Sequence, residues 1–419
     1  MTKFEKLRKK IISKRFIVGI VGVGYVGEAL GRATCEAGIK TIGFEISRSR
    51  VENLRNQIPR NFHLTDNKKY LSKCDVICIC VPTPLSAKGN PDTTLLENAA
   101  AEIANYLIPG QLIITESSVA PGTSKNIIKP ILEKSGFTAG TDFYLGYSPE
   151  RVDPGNNNFT VSNIPKVVSG INEESRQLTT DFYSTFVKKT VPVASMEAAE
   201  LTKIMENVFR LVNITLVNEI AEYARGVNIN IWEVIDAAAT KPFGFLAHYP
   251  GPGAGGYCIP VLPVYLLDSA KKNKVKLPLI TLAEKLNKKQ PDKVADLALK
   301  LINGNGNAKL INGDKPKALL VGISYKEEVS DTRESKAIII WKKLEKEGVE
   351  VQYHDPYIKK YNGSESRELT TDFLNNVDMI IVATPHKKIK YESLISAQKP
   401  LIDTKNHLSS YNKPFIYRI

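Results

Sequence analysis

The chain has 419 residues, 42% of them hydrophobic, and a formal net charge of +13. Domains of roughly 100–200 residues make this length two or three cores, and no apolar run approaches the roughly 20 residues a helix needs to span a bilayer, so no membrane-spanning helix is expected. The lysines are scattered through helical patterns such as AEKLNKKQPDKVADLALKL, so they read as solvated helix faces rather than a nucleic-acid site, and they suit ligands that carry phosphate.

The N-terminal run MTKFEKLRKKIISKRF is basic but lacks the apolar stretch and cleavage site of a signal peptide, so a short helical arm and a cytoplasmic location are expected. Residues 16–24, FIVGIVGVG, read as a buried strand. A helix, EALGRATCEAG, follows and ends at Gly38, and a second strand, KTIGFEI, completes a βαβ unit of about 30 residues. Strands at Asp75–Val81, Gln111–Thr115 and Tyr144–Tyr147 alternate with helical stretches, and Lys166–Ser169 and Thr190–Val193 close the domain as further strands of a parallel, doubly wound sheet.

From Ser195 to Gly226 apolar residues recur at helical spacing without proline or internal glycine, which predicts one long helix suited to link two domains and to form a dimer contact. Shorter helices are expected at Ile231–Ala239 and Val261–Asn273, with the irregular loop YPGPGAGGYCIP between them. INGNGNAKLINGDKP is the clearest linker. Strands KALLVGISY, VEVQYHDP, Asp378–Ala383 and Pro400–Ile402, with a helix at Ser335–Glu347, define a second α/β domain. The expected fold is therefore α/β, two Rossmann-like doubly wound domains joined by a long central helix. The division is 1–194 (dinucleotide-binding), 195–303 (central, helical) and 304–419 (C-terminal).

Gly22-x-Gly24-x-x-Gly27 follows a strand and opens a helix. In such a turn the first glycine permits the bend, the second admits a pyrophosphate, and the third allows helix–strand packing, with the helix N-terminus facing the anion. Glu45, at the end of the second strand, is placed to accept ribose hydroxyls and so favours NAD over NADP. Arg50 suits the adenosine side or an exposed helix face equally. None of the five cysteines has metal-type spacing; Cys74, Cys78 and Cys80 read as small buried hydrophobes, and all as reduced thiols. Cys258, after the glycine-rich run GPGAGGY, reads either as a buried cysteine or as a nucleophile. Lys203 and Asn207 share a face of the long helix, as a solvated pair or as oxyanion-stabilising groups. Ser118 and Glu150 follow strands, where α/β sheets hold ligands, and either cap and solvate the loop or touch cofactor and water. Lys326 and Arg333 follow the first strand of the C-terminal domain, as phosphate clamps or surface ion pairs.

Together these runs resemble the UDP-glucose/GDP-mannose dehydrogenase family: GVGYVG, VPTP at Val81–Pro84, ESSVAPGTS, YSPERVDPG, LTKIMENVFRLVNITLVNE, GPGAGGYCIP and GISYKEEVSDTRES. ATKPFGF is most similar to the branch that oxidises UDP-N-acetylhexosamines, UDP-N-acetylglucosamine among them. The resemblance implies oxidation of a sugar C6 alcohol to a carboxylate with two NAD. It implies Cys258 as the nucleophile that forms a thioester, Lys203 and Asn207 as oxyanion stabilisers, and Ser118 and Glu150 as groups that position water or nicotinamide. Gly22, Val23, Gly24, Tyr25, Val26, Gly27, Glu45, Arg50, Thr83, Ser118 and Arg333 would hold the cofactor. Glu150, Arg151, Lys203, Asn207, Tyr249, Gly251, Gly255 and Lys326 would hold the UDP-sugar. A homodimer through the central helix is implied; no metal, nucleic-acid or membrane partner is.

Two positions depart from the family pattern. Tyr257 stands where the family has histidine, and Leu262 stands where it has an aspartate that positions water and the lysine. Losing one orienting carboxylate costs on the order of 10²–10⁴ in rate. Slow turnover, arrest at the thioester, replacement by Glu150 or Asp268, and a homologue that binds without turning over all follow as alternatives.

Overall fold

The structure is a computed structural model and describes every residue except 56, 154, 157 and 304–314, with the side chains of 55 and 303 also outside it. Most of the expected linker, the boundary at 304 and one position of YSPERVDPG therefore lie outside the described residues. The chain forms two compact units, Met1–Glu206 with Val264–Val275, and Asn207–Pro263 with Lys276–Ile419.

The strands of the first unit are β1 (Ile17–Val21), β2 (Lys40–Phe44), β3 (Phe62–Thr65), β4 (Val76–Ile79), β5 (Leu112–Thr115), β6 (Tyr144–Tyr147), β7 (Lys166–Gly170) and β8 (Thr190–Pro192). They form one sheet in the order β3-β2-β1-β4-β5-β6-β7-β8. Its helices are α1 (Lys3–Ile12), α2 (Tyr25–Glu36), α3 (Arg48–Arg55), α4 (Thr94–Ala104), α5 (Lys129–Leu132) and α6 (Glu173–Ser184). Successive residues of β4 point to opposite faces and all are buried. Val76 and Cys78 join a core with Val18, Ile20 and Leu30, while Ile77 and Ile79 join one with Val21, Leu96 and Ile103. Two covered faces explain why these strands read as unbroken apolar runs.

Two findings differ from the sequence reading. β3, FHLT, is a short edge strand too polar to announce itself. β7 runs antiparallel to β6, Gly146 opposite Gly170, so the sheet is not wholly parallel. The described residues between 148 and 165 form turns and no crossover helix, and without a crossover a strand returns antiparallel. The N-terminal segment is helical as expected but is not a free arm. Leu7 and Ile11 enter the core, and Lys3, Arg8 and Lys10 pair with Asp142, Asp181 and Asp75. Part of the basic charge is thus spent on local ion pairs.

α7 (Met196–Gly226) is the expected long helix and continues from the first unit into the second. Ile204, Val208 and Leu211 are buried, whereas Met205 is 63% exposed. After it come α8 (Ile231–Ala239), α9 (Leu262–Lys272) and α10 (Pro278–Asn303).

The second unit's sheet is wholly parallel, in the order β10-β9-β13-β14-β15: β9 (Lys317–Val321), β10 (Glu350–His354), β13 (Met379–Val382), β14 (Leu401–Asp403) and β15 (Ile416–Arg418). β11 (Lys360–Tyr361) and β12 (Ser364–Glu365) make a separate hairpin, and α11 (Lys336–Lys346), α12 (Thr371–Asn375) and α13 (Tyr391–Ser396) complete the unit. The chain leaves β9 for β10 on one side and returns to β13 on the other. The crevice beyond their carboxyl ends is a topological switch point, where open α/β sheets hold ligands.

Candidate functional site

In the first unit the glycine turn has the geometry a dinucleotide needs. Gly22 has φ +90°, a conformation costly for any residue with a side chain. A Cβ on Gly27 would overlap the Gly22 carbonyl oxygen, so helix and strand meet only without one. A Cβ on Gly24, the N-cap of α2, would meet nothing within 4 Å, which leaves the helix N-terminus open to a pyrophosphate. The Glu45 carboxylate accepts the N–H of Val23 at 3.1 Å and of Ser47 at 2.9 Å, and keeps lone pairs for ribose hydroxyls. These features fit NAD. Arg50 donates to the Val23 carbonyl at 2.5 Å and pairs with Glu28 at 3.1 Å; it braces the turn rather than lying free on a helix face. Tyr25 is exposed, and Val26 packs on the core.

At the carboxyl ends of β4 and β5, buried Thr83 donates to the Ser118 carbonyl at 2.7 Å, stitching VPTP to ESSVAPGTS. Glu150 lies beyond β6 and is buried. One of its oxygens accepts the N–H groups of Arg151 and Val152, both at 2.7 Å, and the other takes the Lys166 ammonium at 2.8 Å. Lys166 also donates to Glu116 at 2.6 Å, and the Tyr183 hydroxyl donates to the other Glu116 oxygen. Burial opposes the Lys166 charge, but the Glu116 and Glu150 carboxylates outweigh it and hold the ammonium's pKa above its usual value. Burial likewise opposes ionisation of Glu150, yet Lys166 and the two backbone donors bring it below the carboxylate norm; burial leaves Glu116 above it. Glu116, Lys166 and Tyr183 were not candidates from sequence. Glu116 opens a motif already singled out, but nothing local to Lys166, at the start of a strand, signals its role.

Arg151 pairs with Glu206 at 2.6 Å and donates to the Pro165 carbonyl at 2.7 Å. Lys203 is half-buried and Asn207 buried, on one face of α7. Asp268, a candidate replacement carboxylate, pairs with Lys272 at 2.7 Å. Six residues beyond Leu262 on α9, it lies about 9 Å further along the axis and on another face of that helix.

In the second unit the glycine loop is pinned by side chains that sequence reading did not single out. Asn218 of α7 accepts the Gly251 N–H at 2.9 Å. Asn287 of α10 accepts the Ala254 N–H at 2.7 Å and donates to its carbonyl, and Gln290 donates to the Gly251 carbonyl. A Cβ on Gly255 would press on the Glu334 carbonyl, and one on Gly256 on the Tyr325 ring, so the loop lies flat against the segment after β9. Tyr249 stacks on Trp232 and donates to Asp236 at 2.9 Å. Cys258 is half-buried where the loop enters α9, its carbonyl accepting the Leu262 N–H at 3.0 Å. Leu262 itself is 1% exposed. Arg333 is held by Asp331 at 2.6 Å and lies over the Tyr257 ring.

At the switch point an open cleft is lined by Pro252 and Gly253, by Ser324 and Lys326 after β9, by Lys336 at the start of α11, by Thr384 after β13 and by Lys405 after β14. Lys326 was a sequence candidate; Ser324, Lys336, Thr384 and Lys405 were not.

The two units thus define an NAD-binding Rossmann enzyme with a second α/β unit built for an anionic ligand. Family profiles agree. Those of the UDP-glucose/GDP-mannose dehydrogenase family match in chain order: the NAD binding domain at residues 59–187, the central domain at 197–289 and the UDP binding domain at 319–410. A profile of coenzyme F420-dependent NADP oxidoreductases matches 17–93, across the glycine turn. The UDP-N-acetyl-D-mannosamine dehydrogenase of Methanococcus aeolicus is 33% identical over 97% of this chain and 94% of its own. The UDP-N-acetyl-D-glucosamine 6-dehydrogenase of Pseudomonas aeruginosa is 33% identical over 89% and 91%. The solved UDP-D-ManNAc dehydrogenase of Pyrococcus horikoshii superposes with a TM-score of 0.85, at 27% identity over 96% of this chain and 99% of that one. The chain belongs to the UDP-glucose/GDP-mannose dehydrogenase family and is an NAD-dependent nucleotide-sugar dehydrogenase.

Proposed function

We propose that this enzyme oxidises the C6 alcohol of a UDP-N-acetylhexosamine to the uronate, in two oxidations joined by a thioester on Cys258. The observation that carries the reading is Cys258 itself, half-buried at the end of a glycine loop pinned by Asn218, Asn287 and Gln290. The names of the similar dehydrogenases support the acetamido sugar. NAD, when bound by the glycine turn and Glu45, accepts one hydride in each oxidation. The Cys258 sulfur adds to the C6 aldehyde, the carbonyl oxygen takes the proton, and the resulting thiohemiacetal loses hydride and proton to become the thioester. Water then adds, the C–S bond breaks, and the thiol is restored as the carboxylate leaves. Lys203 and Asn207 stabilise the oxyanions, and Glu150, fixed by Lys166, orients water. Ser118, Thr83, Arg50 and Arg333 serve the cofactor; Arg151, Tyr249, Gly251, Gly255 and Lys326 serve the UDP-sugar. The division 1–194, 195–303 and 304–419 and a cytoplasmic location are part of this proposal.

The test is NADH yield with UDP-N-acetylglucosamine, UDP-N-acetylgalactosamine, UDP-N-acetylmannosamine and UDP-glucose. Two NADH per sugar, abolished in Cys258→Ala, is expected; no NADH from any of them sinks the reading.

Leu262 favours a second reading, a homologue that binds both ligands and turns over slowly or arrests at the thioester. It is buried where the family has an aspartate, and Asp268 is engaged by Lys272. Leu262→Asp then speeds thioester hydrolysis by on the order of 10²-fold or more. Equal turnover in both proteins removes this reading.

We also propose a homodimer through α7. Leu201, Met205, Phe209, Leu216, Ile220, Tyr223 and Val227 recur every three to four residues or twice that, and each is more than 40% exposed. A continuous apolar stripe of this kind marks an interface, and a second copy supplies the same stripe.

A further inference from the structure

We infer that Lys336 is a specificity-determining cation of the second unit's cleft, set to receive the diphosphate of the nucleotide sugar at the N-terminus of α11. The inference rests on the UDP-sugar reading and adds to it the group that counts phosphates. Three observations carry it. The first is place: the cleft lies at the switch point, and α11 begins there with Ser335 as an N-cap whose side chain makes no capping bond. The second is burial without compensation. Lys336 is 4% exposed and lines the cleft, yet among the described residues no hydrogen bond or ion pair engages its ammonium.

The third is a comparison within the same chain. Lys166, equally buried, is clamped between two carboxylates. A structural lysine is held that way because a buried, unpaired ammonium is costly. Burial accordingly lowers the Lys336 pKa, and the charged groups about it do not cancel that effect. Glu334 lies in the preceding turn, Glu284 and Lys288 on α10 pair with each other, and Glu327, Lys326 and Lys405 lie around the cleft. Lys405 reaches under the glycine loop, its ammonium 3.1 Å from where a Gly251 Cβ would stand. A doubly charged diphosphate meets three lysines, Lys326, Lys336 and Lys405, and a helix N-terminus here, whereas a nucleoside offers them nothing ionic.

The test is calorimetric titration of the full-length protein with UDP, uridine and inorganic pyrophosphate, for the wild type, Lys336→Met and Lys336→Gln. NAD affinity, which belongs to the other unit, serves as the control for folding. Loss of one charge-assisted contact predicts UDP and pyrophosphate binding weakened roughly 10- to 100-fold in both variants, with uridine changed less than about threefold. UDP binding at wild-type strength in the variants, or equal losses for UDP and uridine, overturns the inference and leaves the UDP-sugar reading standing. A wild-type protein that binds NAD but not UDP overturns both. Because Lys336→Gln keeps a polar group of similar reach, misfolding of the methionine variant alone leaves the comparison intact.

Discussion

Lys166→Met isolates the buried ion cluster of the first unit. Its ammonium touches both carboxylates of the cluster, at 2.6 Å from Glu116 and 2.8 Å from Glu150, and all three residues are at most 8% exposed. Removing one partner of a buried pair costs about 3–5 kcal/mol, because the charge left behind is desolvated and unpaired. Two are left behind here. Glu150 keeps its two backbone donors, but Glu116 keeps only the Tyr183 hydroxyl, so Glu116 takes up a proton. The sign of the pH dependence follows. In the wild type the Glu150 pKa is depressed, so its contribution is present at neutral pH and is lost on acidification. In the variant both carboxylates are raised, the native state binds more protons than the unfolded one, and stability falls as pH climbs above the ordinary carboxylate range. Urea unfolding followed by circular dichroism at pH 5.5 and 8 should show the larger loss at pH 8. Adding Glu116→Gln, which removes one orphaned charge, should recover about 1–2 kcal/mol. A loss below about 1 kcal/mol at pH 8, or an equal loss at both pH values, would refute the reasoning.

Glu200 of α7 accepts the N–H groups of Gly122 at 2.5 Å and Ser124 at 2.9 Å, and burial pushes its pKa up to about 7. A raised carboxyl disfavours the native state as pH rises from 4.5 toward 7, an effect of up to roughly 3 kcal/mol. Glu200→Gln should flatten the fall in melting temperature over that range; an unchanged pH profile counts against it. Gly27→Ala places a methyl against the Gly22 carbonyl, so NAD affinity should fall at least about tenfold, with roughly 1–3 kcal/mol of stability lost. Wild-type NAD titration in that variant would show the turn to be more pliant than its geometry. Phe209→Glu puts a charge into the outward stripe of α7 and should convert dimer to monomer in light scattering. A mass unchanged by the substitution places the interface elsewhere.

What the sequence determined by itself was local or periodic. The glycine turn was legible because Gly22 and Gly27 answer to backbone geometry within one βαβ unit, and Glu45 because it ends the next strand. The helix over 196–226 was legible because its spacing repeats without a break. The tertiary structure alone decided what depends on strand order and on neighbours distant in the chain. Lys166 is 16 residues from Glu150 and 50 from Glu116, and only the adjacency of β5, β6 and β7 brings the three together. The antiparallel return of β7 depends on a connection whose described residues form no helix, and its apolar pattern reads the same in either direction. Asn218, Asn287 and Gln290 look like ordinary polar helix residues until the glycine loop crosses them. Lys336 was one lysine among many in a basic chain. Its meaning lies in being buried beside a cleft with, among the described residues, no carboxylate paired to it, and both conditions arise only when the chain has folded.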